Sequence, residues 1–352
     1  MNVNAERAVV TGEPPFTAAE MGHTELMPNY RVDLRSHRLP EYQKFIRLNP
    51  VNDWSLLSWK DVGKPYEVKS VAQDRKAWEQ QHGTAMDAHT AWTHFNLSFH
   101  QWFVKDVPAE IDKEKAEFLA GLKAFNFRQI REGIGDVARI HLWNYVHRIQ
   151  DGVWDPRGKR ALFEGLDVQK PRILFLGAAE GYEAMQLAAM YPGAEVVMVD
   201  YDEYCRTTRY AEFPEGYPFL GENPRTGAPQ VYYKHDFNIE YVVDDIRRLP
   251  YGREFDIVLS VGLLEHFPDE LKPEIVDWHR RFLNPGGYAI LTTPRNQLKS
   301  RLFYQIMADV MNHTYRELMT VQQMGLYMYE NGMDICRHGY IKVHNGVVAR
   351  MR

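Results

Sequence analysis

From residue 172 onward the sequence alternates short apolar runs with helix-length segments, and no other feature limits the fold as much. The runs are 172–176 (RILFL), 195–199 (EVVMV), 255–260 (FDIVLS) and 287–293 (GYAILTT). Continuous apolar runs of this length suit strands covered on both faces, and the helical segments between them supply the crossovers of a parallel sheet. A last pair of runs, around 334–342 and 345–351, predicts an antiparallel edge. The stretch 151–171, with Gly152, Pro156, Gly158, Gly165 and Pro171, reads as a boundary.

Upstream of that boundary the pattern differs. Prolines at 14, 15, 28, 40, 50 and 65 keep interrupting any helix, so residues 1–70 read as an extended arm draped over something else. Beyond it, Trp92, Phe95, Phe99, Trp102 and Phe103 fall on one helical face. Ile111, Phe118, Leu119, Leu122 and Phe125 make a second stripe, and Ile134, Val137, Leu142, Tyr145 and Ile149 a rougher third. All the tryptophans but Trp278 precede residue 160, so the two halves are built differently.

Composition narrows the class of function. With 45% hydrophobic and 25% charged residues the chain reads as globular. Its formal charge of −5 argues against broad electrostatic binding to nucleic acid or an anionic membrane. No apolar run is long enough to predict a bilayer-spanning helix. The start, MNVNAERAVVTGEPPF, lacks the basic-then-apolar order of a secretory signal. Cys205 and Cys336 cannot make a disulfide framework or a four-sulfur zinc site, and a reducing, cytoplasmic setting is expected.

The chemistry is concentrated after the first run. Gly177-Ala-Ala-Glu-Gly181 is a small-residue turn between a strand and a helix starting near Tyr182. Such a turn lets a ligand approach the backbone and presents helix-terminal N–H groups. The next strand ends in Asp200, where a carboxylate can accept both hydroxyls of a ribose. Together these predict a nucleoside site at the sheet's carboxyl edge, for either a dinucleotide or S-adenosylmethionine. A GxGxxG reading fails, because Ala179 stands at its second glycine.

RILFLGAAEG, VVMVDYD, FDIVLSVGLLEHFPDE (255–270) and LNPGGYAILTTP (283–294) occur in one order. That order resembles the class I S-adenosylmethionine-dependent methyltransferases, in particular the branch acting on small molecules and quinone- or lipid-like acceptors. The resemblance spans roughly 170–352. It implies a doubly wound, mostly parallel, seven-stranded Rossmann-like α/β sheet with an antiparallel C-terminal edge, preceded by a mainly helical region. It implies S-adenosyl-L-methionine as cofactor and this organisation: an arm over 1–70, a helical acceptor-side or lid region over 71–165, and the cofactor-binding domain over 166–352.

Carried over by residue, Gly177, Ala178, Ala179, Glu180 and Gly181 match the family's glycine loop. Asp200, followed by Tyr201, matches the acidic residue that holds the ribose. Asp245 and Ile246 match the pair beside the adenine, and Ser260, Val261 and Gly262 match the segment under the cofactor. Two departures stand out. Phe175 occupies a place that is often acidic, so the contact to the cofactor's amino end must come from elsewhere, with Glu180 nearest; and Ala179 replaces a glycine. The stretch from Asp200 to Asp245 is also long, and its middle (213–229) reads as an inserted loop.

Methyl transfer from a sulfonium is an in-line displacement, so the donor side is more legible than the acceptor side. Glu265 and His266 follow the 255–260 strand; His266 is a candidate base or orienting group, or a hydrogen-bonded structural histidine. Tyr182 could face the cofactor or cap its helix. The aromatic helix at 87–103 is either core or a lid over the acceptor. His89, His94 and His100 fall on different helical faces, so no metal site is expected, and the Glu-x-x-His units at 20–23 and 79–82 do not change that. Arg206, Arg209, Arg247 and Arg248 form a basic cluster that suits an anionic acceptor or a solvated surface. The expected function is methyl transfer to oxygen or nitrogen of a small-molecule acceptor, with nucleic acid disfavoured and a homodimer left open. Two alternatives stand beside it: a wobble-uridine-type tRNA methyltransferase, which the acidic balance and the lack of a Lys/Arg run count against but the Arg-containing stretches near 128–148 leave open, and a non-catalytic cofactor-binding scaffold.

Overall fold

The computed structural model describes residues 51–100, 111–134, 137 and 160–352, apart from 214, 216, 218, 228, 307–313 and 342. Most of the arm, much of the third helical stripe and the 20–23 unit lie outside the described residues.

A seven-stranded sheet organises the second half. Its strands are β2 (Arg172–Leu176), β3 (Glu195–Asp200), β6 (Asn238–Val243), β7 (Phe255–Val261), β8 (Leu283–Pro294), β10 (Met333–Ile341) and β11 (His344–Met351). The order across the sheet is β10-β11-β8-β7-β2-β3-β6. From β6 to β8 neighbouring strands run parallel, whereas β11 is antiparallel to both β8 and β10. This is the mostly parallel sheet with an antiparallel C-terminal edge that the sequence predicts. The order reverses at β2: β3 and β6 extend one way, β7 and β8 the other. Ligands of open α/β sheets bind at such a reversal, outside the carboxyl ends of the strands.

Pleating sorts the side chains onto two cores. Ile173, Phe175, Val196, Met198, Ile257 and Leu259 face one side, under helix α4 (Tyr182–Met190). Leu174, Leu176, Val197, Val199 and Val258 face the other, under α5 (Lys272–Phe282) and α7 (Val321–Glu330). Both faces being covered explains why these strands read as unbroken apolar runs. Phe175, the departure from an acidic residue, points into the first core and is fully buried.

Two features escaped the sequence reading. β6 (NIEYVV) is an edge strand whose first half alternates between exposed and half-buried and in which no residue is fully buried, so it lacks a continuous apolar run. The expected inserted loop at 213–229 overlaps an antiparallel hairpin that runs past its end, β4 (Phe219–Glu222) and β5 (Pro229–Tyr232). It covers α4 through Tyr217 and Phe219, both fully buried, which pack on Tyr182 at the start of that helix. Asn223 closes its turn by accepting from the backbone N–H groups of Arg225 and Thr226.

Of the described part of the first half, residues 54–63 lie against α7 and residues 89–96 reach the sheet's carboxyl edge. Helices α1 (Lys69–His82), α2 (Ala88–His100) and α3 (Ile111–Lys123) follow a short strand β1 (Tyr66–Glu67), which pairs with β9 (Glu317–Leu318). Trp54 is buried over Gly325 of α7, Trp59 Nε1 donates to Glu330 at 2.9 Å, and Gln323 donates to the carbonyls of Val62 and Gly63. Leu119, Leu122 and Phe125 of the second stripe are exposed among the described residues. Helix α6 (Leu298–Ile306) completes the described elements that bear on the site.

The hairpin's seat is tight at one position. A Cβ on Gly221 would lie 1.6 Å from the carbonyl oxygen of Ala189 at the end of α4. Gly221→Ala therefore forces the hairpin off the helix, and thermal unfolding should show a loss of about 1–3 kcal/mol, the usual scale for overpacking. An unchanged melting temperature would contradict this packing.

Candidate active site

The turn after β2 is built from left-handed residues. Gly177 and Gly181 have φ of 68° and 79°, and Ala179 has φ of 48°. Gly181 has a second reason to be glycine: a Cβ there would sit 2.3 Å from the end of the Met198 side chain. Ala179 carries a strained conformation of about 1–2 kcal/mol, and its backbone is tied at both ends. Its N–H donates to Asp200 Oδ2 at 2.9 Å, and its carbonyl accepts from the Tyr241 hydroxyl at 2.7 Å. These ties explain how the turn survives an alanine where the family resemblance has glycine.

Asp200 ends β3 and is only 2% exposed. Burial pushes its carboxyl above the ordinary range, opposed by N–H donors from Ala179, Asp202 and Trp92 and by the nearby Arg209 charge. The Trp92 indole reaches Oδ1 from α2 at 3.2 Å. Four residues on, Asn96 donates to Asp202 at 3.1 Å and accepts from Arg209 at 2.9 Å. Arg209 in turn pairs with Glu180 of the turn. Residues at spacing of four share a helical face, so α2 is clamped across the carboxyl edge by Trp92 and Asn96 together. Tyr201 packs edge-on against His89 of the same helix, with ring centroids 5.1 Å apart.

The remaining positions spread along the same edge. Asp245 caps the turn 246–248 and forms a two-pronged pair with Arg247, which holds its carboxyl below the ordinary range; Arg248 pairs with Asp244. Ile246 packs at the rim of the second core. The Ser260 hydroxyl faces away from the crevice, toward His279 Nε2 at 2.8 Å, so only its backbone faces the crevice. Val261 leads to Gly262, whose φ is 71° and whose N–H donates to Thr292. Tyr182 starts α4 and packs among Tyr217 and Phe219, on the side of the hairpin.

Beyond Gly262, Glu265 and His266 meet a residue that sequence reasoning passed over, Arg316. His266 Nδ1 lies 3.0 Å from the Tyr315 carbonyl, which assigns the proton to Nδ1 and leaves Nε2 as an acceptor. Arg316 Nη2 approaches that Nε2 at 3.4 Å. Burial and the Arg316 charge push the imidazole well below its ordinary value, so it is neutral. The His266 ring packs edge-on against Trp92 with centroids 4.8 Å apart. Trp92 thus touches both Asp200 and His266. Nearby, Lys272 and Glu317 form a fully buried ion pair. No sequence signal marks Arg316: it sits in an unremarkable TYREL stretch about fifty residues from His266, and only the pairing of β1 with β9 brings it in. Trp92 was legible only as part of an aromatic face.

The arrangement suits a nucleoside. A buried carboxylate already accepting an indole N–H at one oxygen offers the acceptor chemistry that ribose hydroxyls need, beside a turn tied down through its backbone. A family profile described as "Methyltransferase domain" matches residues 145–338, more than half of the chain. The chain belongs to that methyltransferase family, and it is an S-adenosylmethionine-dependent enzyme of class I.

Solved structures similar to the chain include human N-acetylserotonin methyltransferase in complex with SAM, at 13% identity over 80% of this chain and 64% of that one, with a TM-score of 0.45. An S-adenosylmethionine-dependent methyltransferase from Mesorhizobium loti shares 16% identity over 54% of this chain and 94% of that one, with a TM-score of 0.38. Magnesium protoporphyrin IX methyltransferase from Synechocystis with bound SAH shares 15% over 53% and 76%, with a TM-score of 0.38. None is close enough to assign a substrate. No curated protein matches the sequence.

Glu265 gives a pH test of this geometry. It is 2% exposed, its Oε2 has no hydrogen-bond partner, and burial raises its carboxyl to about 7 against the pull of Arg316 and Lys272. Between its ordinary 4.5 and that value, the folded protein holds a proton that the unfolded chain has released. Its stabilising contribution is full below the lower value and is lost as pH rises through the upper one. Glu265→Gln removes this loss, so urea unfolding should show the variant gaining on the parent between about pH 5 and about pH 8. Parallel stability curves would contradict the buried carboxyl.

Proposed function

We propose that the protein transfers a methyl group from S-adenosylmethionine to oxygen or nitrogen of a small-molecule acceptor held under helix α2. The observation that supports this most is the seat of Trp92, which contacts Asp200 on the donor side and His266 on the acceptor side. A helix laid across the edge encloses the crevice, and an enclosed, aromatic-walled site suits a small molecule better than a polymer. In this reading residues 71–165 are the acceptor-side lid of a cofactor domain that begins near 166.

In the donor half, the turn Gly177–Gly181 lies along the methionine part, and Asp200 accepts the ribose hydroxyls in place of the Trp92 indole. Asp245 and Ile246 flank the adenine, and the backbone of Ser260, Val261 and Gly262 forms the floor. The bound cofactor supplies a methyl group on a sulfonium, which is electrophilic without further activation. The protein's task is then to align the acceptor in line and exclude water. Glu180 is paired with Arg209 and fixes the turn from its outer side. Tyr182 supports the turn through its packing on the hairpin. His266 is neutral, with its lone pair directed at Arg316, and serves as an orienting wall; Glu265 beneath it sets the polarity of that wall.

Asp200→Ala should weaken S-adenosylmethionine binding by about tenfold or more in calorimetry, since it removes two charge-assisted hydrogen bonds. Affinity unchanged from the parent would refute the ribose assignment. Methyl release onto a panel of small hydroxylated and amino compounds, set against transfer RNA, separates the acceptor classes: activity confined to RNA and abolished by salt would overturn the small-molecule reading.

A further inference from the structure

The Arg316 side chain is only 3% exposed, yet Nε and Nη1 have no hydrogen-bond acceptor among the described residues. That leaves one N–H on Nε and two on Nη1 unmatched, on a buried cationic group beside His266. Buried polar groups are nearly always paired, and an unpaired guanidinium is costly enough to need an explanation. The one hydrogen bond the guanidinium makes among the described residues, to His266 Nε2, is to a neutral ring and leaves the charge uncancelled.

The surrounding charges leave this one standing alone. Lys272 is neutralised by Glu317, and Arg209 by Glu180. Among the described residues Glu317 is taken up by Lys272, and Glu265, whose carboxyl feels the Arg316 charge, has an unpartnered Oε2, so Glu265 and Arg316 do not bond through these atoms, and burial favours the neutral form of Glu265. The site therefore has one cation to spare, which matches a monoanion. A dianionic phosphate would need a second. Aromatic rings bracket the guanidinium: its carbon lies 4.5 Å from the Tyr304 ring centroid and 5.7 Å from that of Phe95. Phe95 also packs beside Trp92, whose ring meets His266. Flat walls around a planar cation suit a flat ligand with a planar anion, and guanidinium binds carboxylate through paired N–H bonds.

We propose that Arg316 binds a carboxylate on the methyl acceptor, so that the substrate is a monoanionic aryl carboxylate bearing a hydroxyl or amino group as nucleophile. This deepens the small-molecule reading and rests on it. The carboxylate is the anchor and not the methylated group, because an oxygen held by guanidinium hydrogen bonds is a poorer nucleophile. At the other end, the oxygen or nitrogen forms a bond to the methyl carbon as the sulfonium–methyl bond breaks. The bonding electrons stay on sulfur, which becomes the neutral thioether S-adenosylhomocysteine, and the acceptor's proton leaves to solvent.

The test uses the full-length protein and two probes of nearly equal shape, benzoate and benzamide, titrated calorimetrically with and without S-adenosylhomocysteine. Benzoate should bind at least about tenfold more tightly than benzamide, the scale of one charge-assisted contact. Arg316→Met should erase that preference, and Arg316→Lys should keep part of it. S-adenosylmethionine affinity, measured in parallel, should stay at the parent value in both variants, which also shows that they are folded. Equal binding of the two probes by the parent, or a benzoate preference that survives Arg316→Met, would overturn the proposal. If Arg316→Met does not fold, the parent's probe ratio together with Arg316→Lys decides: loss of all preference in the parent overturns it. A parent that prefers benzoate but binds no S-adenosylmethionine would instead refute the donor reading while leaving the carboxylate site standing.

Discussion

The contact between the Trp92 indole and the Asp200 carboxylate, 3.2 Å long, is the hinge of the architecture. A carboxylate removed from water must be matched by donors or neutralised. Asp200 takes its donors from three places: the turn after β2, its own strand end, and helix α2. One side chain therefore fixes the left-handed turn, terminates β3 and docks the helical half onto the sheet. The neighbouring relay from Asp202 through Asn96 and Arg209 to Glu180 repeats the link with a second set of polar groups. Polar contacts dominate at this junction, whereas apolar packing dominates on the two faces of the sheet.

That division fits what the two regions do. The sheet must hold a fixed frame, and its strands are covered on both faces by α4 and the hairpin on one side and by α5 and α7 on the other. In the proposed donor site the junction exchanges partners when a nucleoside enters, and hydrogen bonds to an indole N–H can be replaced by hydrogen bonds to hydroxyls at modest net cost. The acceptor side follows a different rule. There a neutral histidine, a carboxyl raised to about 7 and an incompletely bonded arginine are gathered under aromatic rings. A single uncancelled charge in such surroundings is a strong selector for a ligand that completes it.

Legibility in the sequence followed burial. β2, β3 and β7 are covered on both faces, so their apolar runs mark them almost to the residue. β6 is half-covered and its alternation fell below notice. The hairpin was hidden because its strands are four residues each and its anchors, Tyr217 and Phe219, sit among prolines and glycines that read as loop. In the candidate site, the turn and Asp200 could be found because they are adjacent to strands and spaced along the chain in a recurrent order. Arg316 could not, since its role depends on a two-residue strand pairing that carries no pattern. Trp92 was visible as an aromatic residue but not as a donor, because its partner lies 108 residues away.

The central claim is that Asp200 is the ribose ligand and that the Trp92 indole holds its place. A crystal structure of the protein with S-adenosylhomocysteine tests this most directly. The account expects both ribose hydroxyls within hydrogen-bond distance of the Asp200 carboxylate, the Trp92 N–H no longer bonded to it, and α2 still lying over the sheet edge. A cofactor seated elsewhere, with the Trp92–Asp200 hydrogen bond intact, would contradict it.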